Sequence, residues 1–399
     1  MFRINKWLAV VLLTLWVGTQ SVGAAGAVTF WTQYTEPWVE EVVQGFTRQT
    51  GIEVEVRYIS YDTDEIFTAI AAGAAPDLFT HGLASLGAIA SLDILVPLES
   101  HLEKWDFAGG IVPQGLAAGI YKGRQYALPF SGIATRDLIY RADIFEQVGI
   151  PAEAPPIHWN DLVEYGKRLV QKTPDGQMVR SGLTVGTNDQ MYSMFLNQLG
   201  ADLFTDDRSL FDQPEALEAL EFHVGLVHEH GIDQLGFTNA NGVLTGTAAM
   251  TWSDASIWMQ SLEGSDLLRV ATFPYAKQPA TFLGTGIMAI PTNAPNMEAA
   301  LKLAEYLLHP DTQQIINFGT GQVPFYYQAA EWDWVRESPV IGHFMRAVEY
   351  GVPNPAHELW FDIRTAMRTA ISSALNQQQS PANALAQLHQ QVQALLDER

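Results

Sequence analysis

The chain has 399 residues, 47% of them hydrophobic and 17% charged, a composition typical of a globular protein long enough for two domains. Aspartate and glutamate number 44 against 22 lysines and arginines, so the formal net charge is −22. Phosphate backbones and anionic lipids repel so acidic a chain, which excludes nucleic acid and membrane surfaces as expected partners.

The first 27 residues, MFRINKWLAVVLLTLWVGTQSVGAAGA, follow the plan of a secretory signal peptide. Arg3 and Lys6 precede an apolar run to Val17, and small residues follow. The run is short for a bilayer span, with an uncleaved anchor as the alternative. The sequence contains no cysteine, which excludes disulfides, thiolate metal sites and a lipid-bearing cysteine at the cleavage point. These features together predict a periplasmic protein.

The next segment predicts a β-α-β unit. Residues 28–31 form an apolar strand, and Pro37 suits the first turn of a helix whose apolar stripe ends at Phe46. Gly51 predicts the end of that helix, and residues 52–58 alternate as a second strand. Short connections between these elements indicate a parallel sheet.

Polar and aromatic residues follow the predicted strands of this first region. A third strand is predicted at PDLF (76–79), and ligands in open α/β sheets bind beyond the carboxyl ends of strands. The candidates at those ends are Gln33, Tyr34, Tyr61 and His81. The glycine-containing GTGIMAI (284–290) lacks the spacing of a nucleotide-binding fingerprint.

Later segments predict further α/β structure. YKGRQYALPF (121–130) reads as two short strands about a Lys122-Gly123 turn. AAMTW (248–252) and GIMAI (286–290) are apolar strand candidates, and residues 297–308 have a helical pattern. The chain therefore alternates strands and helices to its end.

One short stretch, VPNPAHELWFDIRTAM (352–367), suggests a ligand site. Pro353 and Pro355 forbid helix before a segment in which Trp360 and Arg364 stand four residues apart, on one helical face. A flat ring beside a five-donor guanidinium can form half of a ligand site. The alternative is a core tryptophan with the arginine lying over it.

Several segments occur in an order that resembles a known family: VTFWTQY, AAGAAPDLF, YKGRQYALPF, LIYRADIFEQVGI, PPIHWNDLVEYGKRL, LTGTAAMTWSD, GTGIMAIPTNA, ALKLAEYLLHPDTQQIINFGTG and WFDIRTAM. They cover nearly all of the mature chain. Together they resemble the extracellular solute-binding proteins of ABC importers (family 1), in the branch that includes maltose-binding protein.

The resemblance implies an α/β fold of two lobes, the type II periplasmic-binding-protein or Venus-flytrap fold, with the ligand in the cleft between discontinuous lobes. It implies a monomer without cofactor or catalysis that captures a di- or oligosaccharide, closes about hinges and delivers the sugar to ABC permease subunits. The implied boundaries are a signal peptide 1–27, an N-lobe 28–133 plus 285–330, a C-lobe 134–284 plus 331–399, and hinges near 130–136, 280–286 and 328–335.

The resemblance also assigns a set of cleft residues, and several have plainer structural explanations. Trp252 is equally a core ring, Asn188 or Asp189 a helix cap, and Arg136 a surface side chain. Ala134 stands where maltose-binding protein has a carboxylate, which leaves the ligand open. The full set of predicted ligand-binding residues is Gln33, Tyr34, Tyr61, His81, Arg136, Asn188, Asp189, Trp252, Asp254, Gly284, Thr285, Tyr326, Trp360 and Arg364.

Patterns that could indicate a metal site or an enzyme are weak in this sequence. His223 and His228 lie off a common helical face, so a metal site there would need unwinding. Adjacent Tyr326 and Tyr327 resemble a ferric-ion pair but lack its carboxylate partners. No G-x-S-x-G or H-E-x-x-H motif occurs. The alternative functions are a receptor for a glycerol-phosphate-type or other small solute, a secreted glycoside hydrolase, and a sensor-type binding protein.

Overall fold

The computed structural model describes residues 26–60, 63–256 and 267–398, so the predicted signal peptide up to residue 25 lies outside the described residues. In the described part, no helix combines the length and apolar character needed to cross a bilayer. The strands are β1 (Val28–Thr32), β2 (Val54–Tyr58), β3 (Leu78–Gly82), β4 (Ile120–Tyr121), β5 (Arg124–Gln125), β6 (Leu128–Arg141), β7 (Gln171–Lys172), β8 (Met178–Arg180), β9 (Met250–Asp254), β10 (Leu268–Ala271), β11 (Thr281–Ala289) and β12 (Gly351–Pro353).

Helices alternate with these strands along most of the chain. The longer ones are Pro37–Thr50, Thr63–Ala71, Trp159–Leu169, Asp189–Gln198, Pro214–His228, Met297–Leu308, Pro310–Thr320, Pro339–Ala347, Trp360–Leu375 and Pro381–Asp397. Shorter α-helices are Leu86–Ala90, Glu99–Leu102, Pro113–Ala117, Ala142–Gln147, Gly242–Thr245 and Asp333–Arg336, and 3₁₀ turns are Leu83–Ser85, Ala108–Gly110, Tyr327–Glu331 and Val348–Tyr350.

The predicted β-α-β unit is confirmed. Strand β1 pairs in parallel with both β2 and β3. The intervening helix has Pro37 in its first turn and ends at Gly51, whose φ of 74° is a left-handed conformation that glycine adopts without strain. The predicted helices at 297–308 and after Pro355 are also present.

Two strands run through both lobes. The strand order is β10-β6-β11-β3-β1-β2, with β9 paired to β6 and β12 to β11. The first half of β6 pairs with β11, whereas its second half, from Arg136, pairs with β9 and β10. The fold therefore consists of two α/β lobes joined through β6 and β11, near the predicted hinges at 130–136 and 280–286.

Helices cover both faces of the N-lobe sheet. Phe30 and Met288 face a cluster with the helices Pro37–Thr50 and Met297–Leu308, whereas their neighbours Trp31 and Ile287 face a cluster on the opposite side. This alternation is the period of two that a strand imposes. A third cluster, in the C-lobe, packs the helices that begin at Asp189, Pro214, Trp360 and Pro381.

A buried carboxylate fixes the back of the crossing strand β6. Asp137 is fully buried and accepts hydrogen bonds from the backbone N–H of Phe273 (2.7 Å), the Tyr350 hydroxyl (2.6 Å) and Nε2 of His343 (2.8 Å). The carboxylate thereby ties the region after β10 to the helix Pro339–Ala347 and to the 3₁₀ turn that follows it. Burial of this group is tolerated because each of its contacts is a donor.

We expect Asp137→Asn to destabilise the protein by about 2–4 kcal/mol, because an amide leaves at least one buried donor without an acceptor. Denaturant unfolding of the variant measures this. Asp311→Asn, at an exposed carboxylate, is the control and should change stability by about 0.5 kcal/mol or less. Equal effects of the two substitutions would contradict a structural role for Asp137.

Candidate functional site

A cavity of about 280 Å³ lies between the lobes. From the N-lobe it takes the segment after β3, and from the C-lobe it takes the helices that begin at Asp189 and Trp360. Phe282 and Gly284 of β11 also line it. Its lining residues are His81, Gly82, Leu83, Ala84, Ser85, Gln190, Phe282, Gly284, Thr285, Asn354, Phe361 and Arg364.

A smaller cavity of about 130 Å³ lies next to it, and the two share Gln190, Phe282 and Asn354 as lining residues. A larger depression of about 620 Å³ lies between Lys104 and Tyr306. Its lining belongs to the N-lobe alone, so it lacks the two-sided character of the interlobe cavity. We therefore treat the interlobe cavity, together with the smaller C-lobe cavity beside it, as the candidate site.

Arg364 is held in the cavity wall by a buried carboxylate. Asp189 is 1% exposed and accepts from Nε of Arg364 (2.7 Å) and from Nε of Arg368 (2.6 Å). The Arg368 side chain is half exposed and does not line the cavity. Because both Nη groups of Arg364 lie outside this contact, the guanidinium can still donate to a ligand.

Arg136 lies behind the cavity between two rings. Its guanidinium carbon is 5.1 Å from the ring centroids of Trp252 and of Phe282, within cation–π range. Its Nη1 donates to Oε1 of Gln190 at 2.5 Å, and its Nε lies 3.8 Å from Asp254. Burial lowers the pKa of Arg136, and the neighbouring carboxylates partly offset that effect. Arg136 therefore positions Gln190 and Phe282, which line both cavities.

Trp360 is a core residue. It is 1% exposed, belongs to the C-lobe cluster and lies against Phe204, with ring centroids 6.4 Å apart. The prediction that Trp360 offers an open stacking platform is wrong for this structure, because the ring is buried against Phe204 in the C-lobe cluster. The ring exposed beside Arg364 is Phe361.

Tyr326 is also placed differently from the prediction. It is 1% exposed, and its hydroxyl donates to the carbonyl of Leu308 within the N-lobe cluster. Tyr327 is 63% exposed, so the two adjacent phenols lie on opposite sides of the backbone, as expected for extended chain at Tyr326. Tyr326 is thus a core residue and not a cleft residue.

Three other predicted residues have structural partners. Trp252 is buried and donates to the Arg136 carbonyl (3.2 Å) and the Thr281 hydroxyl (3.3 Å). Asn188 caps its helix by accepting from the Met191 N–H. Asp254 accepts from the N–H and hydroxyl of Ser256, with Arg136 nearby. The capping and core explanations hold for Asn188 and Trp252.

The N-lobe candidates divide into two groups. His81 lines the cavity, as do Gly284 and Thr285 of β11. Gln33 accepts from the Thr80 hydroxyl at 2.7 Å, and Tyr34 lies against Trp38 and Phe130. A Cβ at Gly286 would lie 2.3 Å from the Tyr34 hydroxyl, which places Tyr34 beside the crossing strands. Tyr61 lies outside the described residues.

Known proteins of similar sequence and structure identify the family. A family model described as bacterial extracellular solute-binding protein matches residues 31–314. The chain belongs to this family. It is an α/β protein of the type II periplasmic-binding fold, similar to the maltose-binding-like proteins of ABC transporters, and the prediction from sequence is confirmed.

Individual relatives support the same fold. A structure from Thermotoga lettingae bound with α-D-tagatose is 25% identical, with a TM-score of 0.81 over 93% of this chain and 100% of that chain. The sugar-binding protein MalE from Xanthomonas citri is 21% identical, with a TM-score of 0.83 over 94% and 98%. The maltotriose-binding protein of Pyrococcus abyssi is 23% identical over 72% of this chain and 63% of its own length. The chain thus spans less than two thirds of that curated relative.

Sequence reasoning missed several lining residues of this solute-binding protein. Phe282, Asn354 and Phe361, which line the cavity, were not among the candidates. Phe282 alternates with Gly284 on one strand face, a period of two that could have identified it. Asn354 lies between two prolines and carries no periodic signal.

Two buried titratable groups hold the segment that leads to Asp189. His223 is fully buried with Nε2 2.7 Å from the Gly186 carbonyl, and burial lowers its pKa to about 4. Asp233 accepts from the Val185 N–H at 2.8 Å, and burial raises its pKa to about 6. Within the described residues no group of histidines and carboxylates could hold a metal ion.

These pKa shifts predict opposite effects on stability. The unfolded chain binds a proton at His223 near pH 6.5 whereas the folded chain does so near pH 4, so His223 lowers stability progressively as the pH falls between those values, by up to about 3 kcal/mol. The pKa of Asp233 is higher in the folded chain than in the unfolded one. Asp233 therefore raises the stability of the folded state as the pH falls from roughly 6 to 4.

We therefore expect His223→Gln to weaken the acid-side loss of stability and Asp233→Asn to steepen it. Chemical denaturation at pH 4 to 7 measures both slopes. Parallel profiles for the wild type and the two variants would contradict the assignment of these groups as buried and perturbed.

Proposed function

We propose that this protein is the substrate-binding component of an ABC transporter that captures a di- or oligosaccharide and delivers it to membrane permease subunits. The observation that carries the proposal is a cavity lined by both lobes, with Arg364 held in its wall by Asp189. We further propose that the chain acts after export to the periplasm, as a monomer, and releases its ligand chemically unchanged.

The lining chemistry suits a sugar. Phe282 and Phe361 offer apolar ring surface to the C–H faces of a pyranose. Arg364, Gln190 and Asn354 offer donors and acceptors to its hydroxyls. The smaller cavity beside the interlobe one offers room for a second ring, which favours a carbohydrate of more than one ring.

The two-sided lining also accounts for capture. A ligand that contacts His81 in one lobe and Arg364 in the other binds the closed arrangement better than the open one. Its binding free energy therefore favours closure about β6 and β11. The sugar ligands named for the relatives, maltotriose and tagatose, support the carbohydrate class for this chain.

A second candidate is a receptor for an anionic ester such as a glycerol phosphodiester. Among the described lining residues of the larger cavity, Arg364 is the charged side chain and no carboxylate is present. Arg136 lies close by. Two guanidinium groups near one cavity favour a phosphate or carboxylate over a neutral sugar.

Calorimetric titration of the protein with maltose, maltotriose, trehalose, sucrose, cellobiose and glycerol phosphodiesters tests both candidates. We expect one-to-one binding of a saccharide that is recovered unchanged. We expect Arg364→Gln to weaken that binding by about tenfold or more, because the ligand loses a charged donor in a desolvated site.

Arg368→Gln is the matched control, since it removes the other arginine of Asp189 but leaves the cavity wall intact. The affinity of the Arg368→Gln variant for the saccharide should stay within about threefold of that of the wild type. Binding of the phosphodiester alone would favour the second candidate. Conversion of a sugar to product would show an enzyme, and no binding across the panel would overturn both candidates.

A further inference from the structure

The lobes also meet outside the cavity, at the β4–β5 hairpin of the N-lobe. The Tyr121 hydroxyl donates to Oε2 of Glu358 at 2.8 Å, and Nζ of Lys122 lies 3.7 Å from Oε1 of the same carboxylate. Tyr121 is buried in the N-lobe cluster that contains Phe79. Glu358 lies two residues before the C-lobe helix that begins at Trp360. The hydrogen bond therefore joins the two lobes.

Close backbone packing accompanies this polar contact. A Cβ at Gly87 would lie 2.5 Å from backbone atoms of His357, so the chains approach to a distance that glycine alone permits. Ala84, three residues earlier in the N-lobe, packs against the C-lobe cluster. Residues 357–358 thus pack between the β4–β5 hairpin and the helix Leu86–Ala90.

The hairpin itself has an unusual residue at its tip. Lys122 and Gly123 have φ of 45° and 77°, the left-handed pair of a two-residue turn, for which asparagine and glycine are favoured. A lysine at the first position is unfavourable for the turn alone. Its ammonium group lies next to Glu358, which gives the residue a role that the turn does not explain.

We propose that Tyr121, Lys122 and Glu358 form an interlobe latch that stabilises the closed form and thereby sets how long a ligand stays bound. This inference rests on the proposed function, because it takes closure around a solute as the working motion. None of the three residues lines the cavity. A contact present in the closed form alone raises the affinity for any ligand of that form without touching it.

Two measurements on the full chain test the latch: the radius of gyration of the ligand-free protein by small-angle X-ray scattering, and the dissociation rate of maltotriose by stopped-flow tryptophan fluorescence. We expect Glu358→Gln and Tyr121→Phe each to enlarge the ligand-free protein or to speed dissociation about three- to tenfold. The double variant should add little to either single change.

Lys122→Asn separates the latch from folding. Asparagine suits the left-handed turn, so thermal stability should be unchanged or raised while dissociation becomes faster. Glu99→Gln is the matched control, because Glu99 bonds Arg124 of the same hairpin at 2.7 Å entirely within the N-lobe. It should alter neither dissociation nor radius.

The outcomes distinguish this inference from the sugar proposal. If maltotriose does not bind the wild type but Glu358→Gln enlarges the ligand-free protein, the latch stands and the maltotriose arm of the sugar proposal falls. If maltotriose binds and the latch variants match Glu99→Gln in both measurements, the latch is overturned. Lower thermal stability with unchanged radius and dissociation rate would also overturn it, by showing a purely structural contact.

Discussion

The hydrogen-bonded pairing of β6 with β11 is the constraint on which the rest of the structure depends. Thr135 and Leu283 are partners at the point where β6 leaves β11 for β9 and β10. Because β6 pairs with β11 before this point and with β9 and β10 after it, the continuous backbone of β6 joins the two lobes. They can rotate about it, since a twist spread over several extended residues needs small changes in each dihedral angle.

The charged groups of the cleft follow from that arrangement. Arg136 is the first β6 residue beyond the crossing, and Asp189 begins a helix packed against β11. Both are largely removed from water, which is costly for an unpaired ion. Asp189 is shared by two arginines, and Arg136 is covered by two rings and bonded to Gln190. These contacts restrain the side chains of the shell in the absence of a ligand, which reduces the conformational entropy lost on binding.

Much of the fold could be predicted from the sequence because its signals are local. The period of two in residues 52–58, Pro37 and Gly51 at helix ends, and the prolines before Trp360 each act within a few residues. Predicting the site residues, in contrast, requires knowing where individual side chains point. A four-residue spacing puts Trp360 and Arg364 near one face, but the boundary between core and cavity falls between them. Local periodicity cannot locate such a boundary, which depends on Phe204 and β11.

A receptor of this kind needs closure that is favourable with ligand and still reversible, which limits how strong the interlobe contacts can be. The cavity wall from Gly82 to Ser85 presents small side chains apart from Leu83, so the N-lobe buries little apolar area against the C-lobe there. Glu358 is partly exposed and Lys122 largely so, and ion pairs of that exposure contribute about 0–1 kcal/mol. Contacts of this size shift the balance between open and closed forms by a small factor, whereas a large apolar interface would hold the lobes shut. Under the proposed function, weak polar contacts at the rim add a small bias toward closure, and the stronger donors of the cavity stay available to the ligand.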